Sequence, residues 1–323
     1  MKKVSLVFRK KSSFFNSIEN VFENLAPYFQ HYRLDLPCES IGLLNRFKNI
    51  RFLIQQKYST IHITGHDHYL LWLPFKNTVL TIHDIEALKR KSGLKKWIFK
   101  KLWFDIPIKN AKAITTISEF SRTEILSLGN YKTPVTVIHN PLTLPLEYSP
   151  KEFNAEVTKI LHLGAKKNKN LARTIMALTG LSCHLTIICQ PNSEVLELLK
   201  VNSISYTLKS KLTQVEIMEE YKKCDLVSFV STYEGFGLPI LEAQAVGRPV
   251  ITSNVSSMPE VAGNGAYLVN PFSIEAIRAG LVKLIESNSL RNELIIEGLN
   301  NVSRFKPEII ANQYKKLYNQ LVE

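Results

Sequence analysis

Two glutamates eight positions apart, Glu234 and Glu242, flank a loop that contains Gly235 and Gly237, within the stretch Tyr233 to Ala243. The apolar run 226–231 before them reads as a buried strand. Pro239 suits the first position of a helix, where its missing N–H has no partner to lose. That helix is expected over 239–246, with Gly247 as a left-handed stop and Pro249 soon after. Strand, glycine loop and helix N-terminus make an anion site, because the backbone N–H groups of Gly235, Phe236, Gly237 and Leu238 can meet phosphate oxygens. Glu234 falls at the C-terminal edge of the strand, where ligands of open α/β sheets bind, and Glu242 is read into the first turn of the helix. Carboxylates accept hydrogen bonds from hydroxyls, so one can hold a sugar and the other a ribose. Taken alone, the same residues also describe a solvent-facing glutamate beside a helix dipole, worth about 0.3–1 kcal/mol.

The elements that must carry this loop alternate along the chain. Strands are expected over 4–8, 60–64, 78–83, 113–117 and 135–139, with helices over 18–28, 42–56 and 119–128. Residues 140–150 hold three prolines and no period, the pattern of an interdomain linker. The alternation then restarts with strands at 159–163, 184–189, 226–231, 249–252 and 266–269. Helices are read from Asn170, near 214–222, over 239–246 and over 274–286, and a helical period closes the chain at 307–321. Short apolar runs separated by helices predict parallel sheets covered on both faces, and two such halves in series predict two doubly wound α/β domains, 1–149 and 150–323.

With 323 residues, 45% of them hydrophobic, the chain can bury two cores of ordinary size. No apolar run approaches the roughly eighteen residues that span a bilayer. The start, 1–11, is charged, but its apolar stretch is too short for a signal peptide and reads as a first strand. Cys38, Cys183, Cys189 and Cys224 show no paired spacing, so free thiols in a reducing cytoplasm are expected and no zinc site. The net charge of +13 is uneven: residues 1–150 hold 22 Lys and Arg against 11 Asp and Glu, and residues 151–323 hold 19 against 17. The basic half therefore faces something anionic.

The stretch 231–271, with Glu234, Gly235-Phe236-Gly237, Glu242, Gly247-Arg248-Pro249 and Met258-Pro259-Glu260, resembles the E-x7-E signature of retaining GT-B glycosyltransferases of family four. The likeness extends to Ile160–Gly164 with Lys169-Asn170-Leu171, to Thr115–Arg122 and to Thr81–Asp84; residues 1–60 match only in general architecture. It implies a GT-B fold of two Rossmann-like domains facing a central cleft, an N-terminal acceptor domain (1–149) and a C-terminal donor domain (150–323) whose last helix, about 308–323, packs back on the first. The co-substrate is a nucleoside-diphosphate sugar, with no metal or other cofactor. Glu234 would contact the donor sugar, Glu242 the ribose, and Lys169 the diphosphate beside Gly164, where a fixed cation meets the charge that grows as the glycosidic bond breaks. A solvated lysine at a helix start is the alternative for Lys169. The family often has an arginine just after the glycine; here Ala165 stands there, with Lys166 or Lys167 as the substitute. His83 would lie near the anomeric carbon, where a buried structural histidine is the commoner alternative; Asp84 has a weaker claim, and Ser118 reads mainly as a helix N-cap. Retention in this family resembles a front-face mechanism without a protein nucleophile, and the sequence holds no G-x-S-x-G elbow and no H-E-x-x-H; the alternative is a covalent route, which needs a carboxylate opposite the anomeric carbon.

On the acceptor side, the family's glycine-rich loop after the first strand is replaced by Arg9 to Ser17 without a glycine, leaving Ser12, Ser13 and Asn16 as candidate hydroxyl-binding residues. Between Lys89 and Phe104 seven cations interleave with Trp97, Ile98, Phe99, Leu102, Trp103 and Phe104. Such a stretch suits an interfacial helix on anionic lipid, and equally a core-packing helix with a basic outer face. No nucleic-acid reader motif accompanies it. The expectation is a hexosyltransferase using a UDP- or GDP-sugar and a glycan or lipid-linked acceptor in surface polysaccharide or glycolipid assembly. It is placed in the cytoplasm, peripheral at the inner membrane face, with its oligomeric state open. The alternatives are a non-catalytic nucleotide-sugar or membrane-binding protein that kept the fold, and a nucleotide-sugar epimerase or hydrolase.

Overall fold

The computed structural model describes residues 3–10 and 17–321. The chain divides into two units, Met1–Thr143 with Phe305–Glu323, and Leu144–Arg304.

The first unit is built from β1 (Val4–Phe8), α1 (Ser17–Leu25), β2 (His31–Asp35), α2 (Leu43–Ile54), β3 (Thr60–Ile63), β4 (Thr78–Ile82), α3 (Glu86–Lys89), α4 (Gly93–Lys100), α5 (Ile106–Asn110), β5 (Ala113–Thr116), α6 (Glu119–Ser127) and β6 (Val135–Val137). Its strands pair in parallel in the order β2-β1-β3-β4-β5-β6. Every residue of β1, β3, β4 and β5 is buried, as a sheet covered on both faces requires. The order turns around between β1 and β3, which makes the C-terminal ends of those two strands a switch point, where ligands of such sheets bind.

The second unit runs β7 (Thr158–Leu163), α7 (Leu171–Leu178), β8 (Cys183–Ile188), α8 (Ser193–Val201), β9 (Ser205–Lys209), α9 (Gln214–Lys223), β10 (Leu226–Phe229), α10 (Leu238–Val246), β11 (Val250–Ser253), α11 (Met258–Ala262), β12 (Tyr267–Val269), α12 (Ile274–Glu286) and α13 (Asn288–Val302). Its parallel order is β12-β11-β10-β7-β8-β9. The switch point is the pair β7 and β10.

The units part at 143/144, six residues before the boundary read from the proline-rich segment. Residues just after the break are tied into the second unit: the Ser149 N–H donates to the Val246 carbonyl at 3.2 Å, and Arg248 Nη1 donates back to the Ser149 carbonyl at 2.8 Å. The last helix, α14 (Pro307–Gln320), returns to the first unit. Its Ile310, Tyr314 and Tyr318 fill a core with Val4, Leu6 and Phe8 of β1 and Phe22 of α1. The Tyr318 hydroxyl lies 2.6 Å from His62 Nδ1, and His62 Nε2 lies 2.7 Å from Thr81 Oγ1. Burial holds His62 near a pKa of about 3, so it stays a neutral part of this core.

Candidate functional site

In the second unit the switch point gathers the expected donor residues. β7 ends at Leu163 and is followed by Gly164, whose φ of +88° belongs to the region that favours glycine. A Cβ there would stand 3.1 Å from Lys169 Cγ, so the missing side chain is what lets the lysine stem cross the end of the strand. A single 3-10 turn, 167–169, then feeds Asn170, held at φ +62° with its Nδ2 donating to the Val230 and Pro271 carbonyls. Helix α7 accordingly starts at Leu171 rather than at Asn170.

That turn aims Lys169 at the loop after β10. Lys169 Nζ sits 2.7 Å from Glu234 Oε1 and 4.7 Å from the centre of the Phe229 ring. Asn168 Nδ2 donates to the Tyr233 carbonyl at 3.0 Å and to Glu234 Oε1 at 3.3 Å, while the Thr232 N–H donates to the Asn168 carbonyl at 2.8 Å. The loops after two neighbouring strands are thus stitched together, with a cation and a carboxylate at the seam. Both groups keep some solvent exposure, 21% for the lysine side chain and 15% for the glutamate, so the pair can open toward a ligand. Lys166 and Lys167 are exposed.

Beyond Glu234 the loop passes Gly235, buried Phe236 and Gly237 (φ +123°). The Ser257 hydroxyl lies 2.9 Å from the Glu234 carbonyl and 2.5 Å from that of Phe236, which fixes the loop from the far side. Leu238 opens α10 and Pro239 takes its second position, one step later than expected; Gly247 stops it at φ +74°. Glu242 therefore lies in the second turn, not the first. Its side chain points into the protein: only 8% of the residue is exposed, and the buried Tyr221 hydroxyl of α9 donates to Oε2 at 2.5 Å. Burial raises the Glu242 carboxyl to about 7, against the lowering effects of the Tyr221 hydrogen bond and of the Lys169 charge.

In the first unit His83 follows β4 and is buried. Its Nε2 lies 2.8 Å from the Thr64 carbonyl. A carbonyl only accepts, so Nε2 carries the proton and Nδ1 presents a lone pair. Burial first and then the nearby His66 lower its pKa to about 4, leaving a neutral ring. The His83 carbonyl accepts from the Ser121 hydroxyl at 3.0 Å. Ser118 caps α6, its Oγ accepting from the Ser121 N–H at 3.0 Å. Asp84 Oδ1 accepts from the Glu86 N–H at 2.8 Å and so shapes the turn into α3. Ser12, Ser13 and Asn16 lie outside the described residues. Two residues of these sites have no motif to announce them: Asn168, within a run of lysines, and Tyr221, within a run of charges.

The segment 89–104 divides. Phe104 is buried, Phe99 and Trp103 pack against the first unit's core, and Leu94, Trp97 and Ile98 are exposed. Among the described residues no helix is long and apolar enough to cross a membrane, and no cluster of three His, Cys, Asp or Glu could hold a metal ion.

Residues 165–300 match the family described as "Glycosyl transferases group 1". The chain is 27% identical over 241 residues to the O-antigen chain mannosyltransferase B of Escherichia coli, covering 66% of this chain and 61% of that protein. It thus spans about six tenths of that curated relative's length. Sucrose-phosphate synthase from Thermosynechococcus elongatus superposes with a TM-score of 0.81 at 17% identity over 99% of both chains. Anabaena HepE, solved in complex with UDP and glucose, superposes at 0.77 and 15%, over 99% of this chain and 100% of its own. The fold is GT-B.

Proposed function

From a chain of GT-B fold whose residues 165–300 belong to the group 1 glycosyl transferases, we propose a glycosyltransferase that moves a hexose from a UDP- or GDP-linked donor to a glycan or lipid-linked acceptor in surface polysaccharide or glycolipid assembly. Mannose is the first sugar to test, because the curated relative is named as a mannosyltransferase of O-antigen chains. The observation that carries the reading is the 2.7 Å pair of Lys169 and Glu234 at the seam of β7 and β10. A diphosphate arriving there draws Lys169 away and leaves Glu234 to accept hydrogen bonds from the sugar. Glu242, reached from the next helix, takes the ribose. His83, protonated on Nε2 by its bond to Thr64, offers Nδ1 to a substrate hydroxyl.

In the proposed reaction the bond from the anomeric carbon to the phosphate oxygen breaks and its electrons leave with the diphosphate. The acceptor oxygen bonds to the same face of that carbon, and its proton passes to the departing phosphate, so the configuration is retained. Lys169 supplies a cation for the leaving group, and we expect turnover to persist in EDTA. Attachment at the inner face of the cell membrane fits the lipid-linked acceptor.

The test begins with thermal shifts against GDP, UDP, GDP-mannose and UDP-glucose, since a ligand that binds the folded state stabilises it. Release of nucleoside diphosphate from the donor that shifts the melt then measures transfer. Glu234→Ala and Lys169→Ala should each lower turnover by about a hundredfold or more at unchanged fold. Wild type and Glu234→Ala equally inactive with every donor would refute transfer and favour a binding protein. An inverted product anomer, read by NMR, would refute retention.

A further inference from the structure

Two stretches of the first unit contain no acidic residue while holding many cations: residues 41–60 carry Arg46, Lys48, Arg51 and Lys57, and residues 87–104 carry seven more, of which Lys89, Arg90 and Lys100 pair with Glu124, Glu86 and Asp105 from outside the stretch and Lys91, Lys95, Lys96 and Lys101 remain to meet an anionic surface. Ordinary solvent-facing helices intersperse both signs. In both stretches the exposed face is also apolar. Helix α2 turns Asn49, Ile50 and Leu53 inward and presents Leu43 (61% exposed), Leu44 (79%) and Phe47 (58%) to solvent. Helix α4 buries none of its residues and presents Leu94 (71%) and Trp97 (63%).

An aromatic ladder ties the two helices to one support. Phe47 of α2 meets the Trp72 ring edge-on with centroids 6.3 Å apart, Trp72 meets Trp103 at 6.0 Å, and Trp103 stacks on Phe99 of α4 at 5.1 Å. The Arg46 guanidinium covers the Trp103 ring at 4.6 Å. A local backbone defect fixes this ladder. Residues 101–105 form a π-turn just before Pro107, which has no N–H to give back to the preceding turn. The Ile106 N–H goes to the Lys101 carbonyl and Pro107 has none to give, so the Leu102 and Trp103 carbonyls accept instead from Trp72 Nε1 and from His68 Nδ1, each at 2.8 Å.

We propose that α2 and α4 together form a docking face for an anionic lipid bilayer, with Leu43, Leu44 and Phe47 on one helix and Leu94 and Trp97 on the other entering the headgroup boundary while the flanking cations meet lipid phosphates. A second copy of the chain is disfavoured as the occupant, because like cations would face one another across the contact. The proposal rests on the transferase reading only for its purpose, bringing the enzyme to a lipid-linked acceptor, and its test does not depend on turnover.

The test is co-sedimentation with vesicles of pure phosphatidylcholine and with vesicles containing about a third phosphatidylglycerol. Wild type should bind the anionic vesicles at least about tenfold more tightly, and added salt should weaken that binding. The pairs L43E/L44E and L94E/W97E should each cut binding by about tenfold or more, with unchanged circular dichroism and melting because all four side chains are exposed and stand outside the aromatic ladder. Equal binding with and without phosphatidylglycerol overturns the proposal. So does an α2 pair that binds like wild type, which would leave α4 alone. A lipid-free dimer of the wild type that the same substitutions dissolve would assign the face to a second copy. Nucleotide release from soluble donor, measured on the same variants, separates the readings: vesicle binding without turnover in the wild type would sink transfer and leave docking standing.

Discussion

Burial raises the Glu242 carboxyl from an ordinary value near 4.5 to about 7. Between those values the folded state holds a proton that the unfolded chain has released, so stability falls as pH rises through this window and stays lower above it. The loss is on the order of 3 kcal/mol. Glu242→Gln cannot ionise and keeps an oxygen for the Tyr221 hydroxyl. Its melting temperature should therefore fall less between pH 5 and pH 7.5 than that of wild type, and identical slopes would remove Glu242 as the cause. Tyr221→Phe takes away the hydroxyl that donates to that carboxyl, so the pKa rises further and the site loses about 1–3 kcal/mol. If Glu242 holds the ribose, the donor KM of Tyr221→Phe should rise well beyond any change in kcat, with the pH dependence of KM displaced upward. A loss of kcat alone at unchanged KM would show that Tyr221 acts elsewhere. Glu234 and Glu242 were legible in the sequence from spacing and a glycine loop. Tyr221 was not, because Glu219, Glu220, Lys222 and Lys223 around it read as a surface helix, and its partner lies 21 positions away.

At the scale of elements, the turn between β7 and α7 decides where Lys169 points. Gly164→Ala combines two effects, a strained φ of +88° and a Cβ at 3.1 Å from the Lys169 stem. Gly180 supplies a control, because its φ of +73° carries similar strain while nothing lies within 4 Å of its would-be Cβ. Both alanine variants should lose about 1–3 kcal/mol of stability, but only Gly164→Ala should also raise the donor KM. Equal kinetics in the two would mean that Lys169 does not depend on this crossing. The same scale explains which strands the sequence exposed. The central strands are continuous apolar runs and were readable; β2 (HYRLD) and β9 (SYTLK) were not, because each is a sheet edge with partial exposure, where polar residues are tolerated. The basic segment 89–104 reads as one helix from its composition, but a π-turn over 101–105 interrupts it just before Pro107, with Phe104 buried and Trp97, on α4, exposed.

At the scale of the whole molecule, the chain finishes its first unit only with its last helix. Ile310, Tyr314 and Tyr318 each bury nearly all of their surface against β1 and α1, and a large apolar side chain contributes about 1.5–3 kcal/mol on burial. Three such losses, with the Tyr318 contact to His62, rival the roughly 5–15 kcal/mol by which a domain is stable at all. Deleting 307–323 should therefore unfold the first unit while the second, whose core around Ile160, Leu226 and Ile251 is built from its own strands and helices, persists. Limited proteolysis should then release a resistant fragment spanning about residues 144–304, and that fragment should still show a thermal shift with the nucleotide that stabilises the full chain, because Lys169, Glu234 and Glu242 all lie inside it. A truncated protein as protease-resistant as the full chain would show that the first unit closes its core without α14, and a folded fragment with no nucleotide response would place donor binding beyond the second unit's own residues.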